Sequence, residues 1–140
     1  MTDDIARLRQ LLREGKCCAA ALVQLGLELR GEANEQLVAA ASVLCNGVRG
    51  ERLCGALTGA ACLMAVHDPA QANARMVPEL TAWFVATMGE RHGGTDCRDI
   101  LERGAVAKAT RCPALIEETY RKARQIMTDH GVPLSDPQDQ

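Results

Sequence analysis

Seven cysteines are the residues of this chain with the most distinctive chemistry. No two of them have the Cys-x-x-Cys spacing, and they are spread over most of the 140 residues, at Cys17, Cys18, Cys45, Cys54, Cys62, Cys97 and Cys112. Cysteine thiolates are nucleophiles and ligands for soft metals. At this spacing only a folded domain can bring the sulfur atoms together. If it does not, the cysteines are small apolar residues of the core.

Three of the cysteines are predicted at the N-termini of helices. Cys54 opens a helix, Cys97 follows Asp96, which is a good N-cap, and Cys112 precedes Pro113, a residue that favours the first helical position. Backbone N–H groups and the positive end of the helix dipole stabilise a thiolate there. The pattern therefore predicts thiols with lowered pKa values.

The adjacent pair Cys17 and Cys18 is predicted to divide between two faces of one helix. At about 100° per residue, Cys18 shares a face with Leu22, whereas Cys17 shares one with Gln24. Cys18 is thus expected to point into the core. Cys17 is expected to point toward solvent or a partner.

The remaining two cysteines are interpreted differently from each other. Cys62 lies eight residues after Cys54, roughly 12 Å along a helix axis, so it is interpreted as core packing. Cys45 ends a helix and is separated from Cys54 by a short loop. Two roles are open for it: an additional ligand, or a packing residue of the core.

Gly55 and Gly59 form a small-residue motif on the same helix. They lie four residues apart, with Ala56 and Ala60 beside them. Small residues at this spacing let a second backbone approach closely. We therefore predict a close helix–helix contact at this motif.

The elements that position these residues are all predicted to be helices. Apolar residues recur at helical spacing throughout, and no segment alternates as a strand does. We predict a compact all-α bundle of five to seven helices, forming one domain over residues 1–133, with 134–140 as a disordered tail. The predicted helices cover about residues 2–14, 16–30, 34–45, 54–66, 69–92 with a kink at Pro78, 96–103 and 113–129.

Composition excludes several classes of partner. The net charge of −2 and the near absence of aromatic residues argue against nucleic acid, which needs basic surfaces and stacking platforms. The longest apolar run, 53–66, is shorter than the roughly 20 residues that span a bilayer. The acidic N-terminus has no signal-peptide pattern, so we expect a cytoplasmic protein whose thiols are reduced.

The order and contexts of four cysteines resemble the C_GCAxxG_C_C family, whose redox activity is inferred from its cysteines. The resemblance covers about residues 16–127 and rests on Cys18-Ala19, the block Cys54-Gly55-Ala56-Leu57-Thr58-Gly59-Ala60, Cys97-Arg98-Asp99-Ile100-Leu101, and Cys112. It implies that Cys18, Cys54, Cys97 and Cys112 are the metal or redox thiols. Cys17, Cys45 and Cys62 are particular to this chain, and of these Cys45 and Cys17 are the additional candidates for the site. The family label reads Gly-Cys-Ala, whereas here Leu53 precedes the cysteine.

The resemblance implies a redox function. A similar domain occurs in split-Soret cytochromes, but this chain lacks Cys-x-x-Cys-His and should carry no c-type haem. Our first hypothesis is an electron-transfer or accessory protein with a thiolate centre, such as an iron–sulfur cluster, and a redox partner protein. The alternatives are a cofactor-free thiol–disulfide protein or sensor, and a structural metal-binding adaptor in a redox complex. The face of the fourth helix that carries Gly55 and Gly59 could also serve a contact in a homodimer.

Overall fold

The computed structural model describes residues 3–101, 105–132 and 134, and these residues fold into an all-α bundle. The helices are α1 (Asp3–Arg13), α2 (Cys18–Leu29), α3 (Glu35–Ala41), α4 (Gly55–His67), α5 (Pro69–Gln71), α6 (Val77–His92), α7 (Cys97–Leu101) and α8 (Ala105–Asp129). α5 runs continuously into α6, and counting them as one helix gives seven in this part of the chain. The predicted fold class is confirmed.

Helices α2 and α4 form the centre of the bundle. They run parallel, because successive contacts advance in the same direction along both helices. A Cβ added at Gly59 would lie 2.7 Å from the Cα of Ala19, and one at Gly26 would lie 2.9 Å from the Cγ of Leu63. Parallel packing at this distance brings the N-terminal ends of both helices together.

Large apolar side chains from the outer helices complete the core. They form one continuous buried cluster with α2 and α4, including Leu8 and Leu11 of α1, Leu80, Phe84 and Met88 of α6, and Tyr120, Ile126 and Met127 of α8. Among the described residues, no helix is both long and apolar enough to cross a bilayer.

The stretch from α5 to α6 is irregular just before the proline where a kink was predicted. A π-helical turn occupies Ala72–Met76, and Pro78 follows in the first turn of α6. Proline has no N–H to donate to the preceding turn, and a widened turn accommodates that loss.

The start of the last helix is a correction to the sequence-based prediction. α8 begins at Ala105, so Pro113 lies inside it and Cys112 lies in a helix interior, not at an N-cap. Proline removes one backbone hydrogen bond without necessarily ending a helix, and the alanines before it are strong helix formers. Residues 102–104, at the predicted end of the preceding helix, lie outside the described residues.

At the C-terminus, Leu134 is half-buried and packs against the core, although the sequence placed it in the predicted tail. Residues 135–140 of that tail lie outside the described part of the chain.

A buried polar cluster ties the first helix to the last. Asp4 is only 6% exposed; it accepts a hydrogen bond from the Tyr120 hydroxyl and lies 2.8 Å from the Arg124 guanidinium. We expect Asp4→Ala to lower the free energy of unfolding by about 3 kcal/mol, because it leaves buried polar partners unpaired. Urea denaturation measures this change.

The matched control is an exposed ion pair between the same two helices. Arg9 contacts Glu117 at 2.7 Å, and the Arg9 side chain is 56% exposed. Arg9→Ala should lower the free energy of unfolding much less than Asp4→Ala does, because solvent screens such pairs. Equal losses in the two variants would contradict the structural role given to Asp4.

Candidate thiol centre

Five cysteines line a single cavity at the N-terminal ends of α2 and α4. The cavity has a volume of about 250 Å³. Its wall is completed by apolar residues of α1 and α8 and by two cationic side chains. The lining residues are Cys17, Cys18, Cys45, Cys54, Cys97, Leu12, Lys16, Asn46, Arg49, Pro113, Leu115 and Ile116. We call this space the thiol cavity.

A short backbone pairing holds Cys54 beside Cys97. Leu53 and Asp96 form an isolated antiparallel bridge, and the Cys97 N–H donates to the Arg52 carbonyl at 2.7 Å. Cys54 is the N-cap residue of α4 and Cys97 is the first residue of α7, and both are buried. Their thiols are hydrogen-bonded to each other.

Cys18 reaches the same place from the start of α2. Its sulfur accepts hydrogen bonds from the backbone N–H groups of Ala19 and Asn46 and interacts electrostatically with Cys97. A Cβ added at Gly55 would collide with the Cys18 sulfur, so only glycine leaves room there. The structure thus brings Cys18, Cys54 and Cys97 together.

The expectation of a lowered thiol pKa at helix N-termini is wrong for Cys54, at the start of α4. A hydrogen bond in which the Cys54 thiol donates to the Cys97 sulfur is the main cause that raises the pKa of Cys54, and burial is the second. Burial, and then the charge of Cys97, raise the pKa of Cys18. Backbone N–H groups at the starts of both helices lower the pKa of these thiols. Desolvation and the interaction with the Cys97 thiol raise it by more. In the metal-free protein these thiols favour the protonated state.

This shift predicts a pH dependence of stability for the reduced, metal-free protein. The pKa of Cys54 is raised from an ordinary value of 9.0, so its contribution is complete below that pH and is lost as the pH rises above it. Between about pH 8 and about pH 10, wild type should lose about 1 kcal/mol more unfolding free energy than Cys54→Ala. Urea midpoints at the two pH values give the comparison, and parallel losses would contradict it.

Cys17 and Cys45 form a disulfide with a Cα–Cα distance of 6.0 Å. Cys17 therefore does not simply face solvent or a partner, as its helical face had predicted. The helix begins at Cys18, and Cys17 is its N-cap with an extended ψ of 169°, so helical geometry does not set its side-chain direction. Cys45, for which two roles stayed open, is 2% exposed and lines the cavity wall.

Of the two remaining cysteines, Cys62 lies apart from the cavity, and the side chain of Cys112 is not among those that the structure describes. Cys62 is half-buried and packs in a separate small cluster with residues such as Val23 and Leu27. Among the residues that the structure describes, no histidine lines the thiol cavity. The side chain of Cys112 is outside the described part of the structure, although the next residue, Pro113, lines the cavity.

Sequence reasoning missed the polar residues around the sulfur atoms. Asn46 and Arg49 belong to the loop between α3 and α4, and Lys16 precedes the N-cap of α2. Only Lys16, next to the cysteine pair, carried a usable signal. Within the part of the chain that the structure describes, no three His, Cys, Asp or Glu side chains converge closely enough to hold a single metal ion.

A helical bundle that gathers cysteines from three separate segments around one cavity defines a class of cysteine-centred α-proteins. Within that class, the chain belongs to the family described as "Putative redox-active protein (C_GCAxxG_C_C)", whose model matches residues 16–126. The matched range contains every cysteine of the cavity. No curated protein and no solved structure matches the chain.

Proposed function

We propose that this chain is an electron-transfer or redox accessory protein whose redox group is an iron–sulfur cluster held in the thiol cavity. The observation that carries the proposal is the convergence of Cys18, Cys54 and Cys97 on a space of about 250 Å³. Cys112 is the fourth candidate ligand, from the family pattern. A redox partner protein belongs to the same proposal.

The donor set supports a cluster better than a single ion. Three sulfur atoms are soft ligands, and they surround a space without converging on one point. Clusters are commonly held by four cysteine thiolates, which matches the family set. Lys16 and Arg49 at the cavity wall would offset part of the negative charge of a thiolate-bound cluster.

The surrounding residues would control the properties of such a centre. When bound, an iron–sulfur cluster supplies one-electron transfer. The backbone N–H groups of Ala19, Asn46 and Ala56 donate to sulfur atoms, and such bonds tune reduction potential. Leu115 and Ile116 provide a buried apolar wall that excludes water. Since the thiols favour protonation, binding must release their protons.

Anaerobic purification and reconstitution with iron and sulfide test the proposal. We expect a brown protein with visible charge-transfer absorption, and iron and sulfide in a fixed ratio to the chain. The absorption should bleach on reduction with dithionite and return on oxidation. A colourless protein without stoichiometric iron after both procedures would contradict it.

A second candidate function is reversible thiol–disulfide chemistry at Cys54 and Cys97. The specific observation in its favour is the hydrogen bond between the two thiols. Their oxidation would form one S–S bond and release two electrons and two protons to an acceptor disulfide. A thiol titration of the iron-free protein should then lose two thiols reversibly, mapped to these positions by mass spectrometry. Cys54 and Cys97 that both remain free thiols after treatment with the acceptor disulfide would contradict it.

A further inference from the structure

The Cys17–Cys45 disulfide stands between two cavities. Outside it, a groove of about 760 Å³ runs between α2 and α3, and inside it lies the thiol cavity. Lys16, Cys17 and Arg49 line both spaces, whereas Cys45 lines only the inner one. The disulfide is therefore part of the wall that separates the groove from the three thiols.

The loop of residues 45–53 forms the rest of this wall and has an unfavourable backbone conformation. Four of its non-glycine residues have positive φ angles, between 55° and 59°, and one of them is the β-branched Val48. Such conformations persist only where the surrounding structure holds them. Release of a restraint on this loop should therefore change its conformation.

Three of the attachments that hold the loop reach a cysteine of the cavity. The disulfide fixes its first residue, the Asn46 N–H donates to the Cys18 sulfur, and the Arg52 carbonyl accepts from the Cys97 N–H. Only the first attachment is covalent, and it is the one that oxidation and reduction can make or break. The loop thus connects the disulfide to the three-thiol centre.

We propose that the Cys17–Cys45 disulfide is a second redox site that controls access from the outer groove to the thiol cavity. The oxidised form holds the 45–53 loop closed, and the reduced form lets it relax and joins the two spaces. Neither cysteine belongs to the set that the family pattern implies. The inference does not depend on whether the cavity holds a cluster.

The reaction is a two-electron thiol–disulfide exchange with a low-molecular-weight thiol. The reductant thiolate attacks the sulfur of Cys17, which is the more exposed partner, and the Cys45 thiolate leaves and is protonated. A second small thiol then displaces the first from Cys17, giving two cysteine thiols and one small-molecule disulfide. Oxidised glutathione reverses both steps.

Alkylation rates of the iron-free protein test the proposal. Wild type is poised with oxidised or reduced glutathione, desalted and treated with N-ethylmaleimide, and each cysteine is followed by mass spectrometry. We expect Cys18, Cys54 and Cys97 to be labelled about tenfold faster in the reduced form, because local opening governs access to buried groups. Cys62 is the internal reference and should not change.

Cys17→Ser is the matched variant, because serine is a favoured N-cap residue and should preserve the start of α2. It should show the fast labelling under both conditions. Equal labelling of oxidised and reduced wild type would overturn the proposal, as would the absence of a Cys17–Cys45 crosslink after oxidation. Both outcomes are read on wild type, so they hold even if the variant folds poorly. They are also independent of iron uptake.

Discussion

Cys54→Ser protein should bind at least roughly tenfold less iron than wild type after anaerobic reconstitution. Cys54 lies at the centre of the thiol group, since it is buried, hydrogen-bonded to Cys97 and electrostatically linked to Cys18. A serine hydroxyl is a harder ligand than a thiolate and is protonated at neutral pH when free, so it should hold an iron–sulfur cluster much more weakly. Iron, sulfide and visible absorption per chain are the measurements.

Cys62→Ser is the matched control for this experiment. It makes the same chemical change at a half-buried cysteine that packs outside the cavity, so iron uptake should equal that of wild type. Equal iron loss in both variants would point to general destabilisation. Full iron uptake by Cys54→Ser would remove the basis for the proposed centre.

The proximity of Cys18 and Cys54 could be anticipated from the sequence for a physical reason. Both cysteines were predicted near the starts of helices, and Gly55 and Gly59 indicated that a second backbone packs closely against one of these helices. Parallel packing against α2 brings the two helix starts together. What the pattern could not supply was the short backbone pairing of residues 52–53 with 96–97, which brings Cys97 to the same place.

The disulfide and its loop could not be predicted, because both depend on departures from regular geometry. A two-residue difference in the start of α2 makes Cys17 an extended N-cap residue instead of part of a helical face. The left-handed conformations of Val48, Arg49 and Glu51 run against residue preference, and the tertiary attachments of the loop hold them. The predicted start of the last helix at Pro113 was wrong for a similar reason. Proline favours the first position of a helix, but here it lies inside α8, which begins at Ala105.

Gly59→Ala should lower the free energy of unfolding by about 3 kcal/mol. The added Cβ would lie 2.7 Å from the Cα of Ala19, and the opposing atom belongs to a backbone, so α2 and α4 must move apart. The same movement would separate Cys18 from Cys54, so iron uptake should fall together with stability. Urea denaturation and iron content of the same preparations measure both effects.

Gly89→Ala is the control, because it makes the same substitution on an exposed face of α6, where the added Cβ meets no atom within 4 Å. This variant should gain up to about 1 kcal/mol, since alanine has the higher helix propensity, and its iron uptake should be unchanged. If Gly59→Ala matched Gly89→Ala in stability, the close approach of α2 and α4 would be wrong. If Gly59→Ala lost stability but kept its iron, the thiol centre would not depend on that approach.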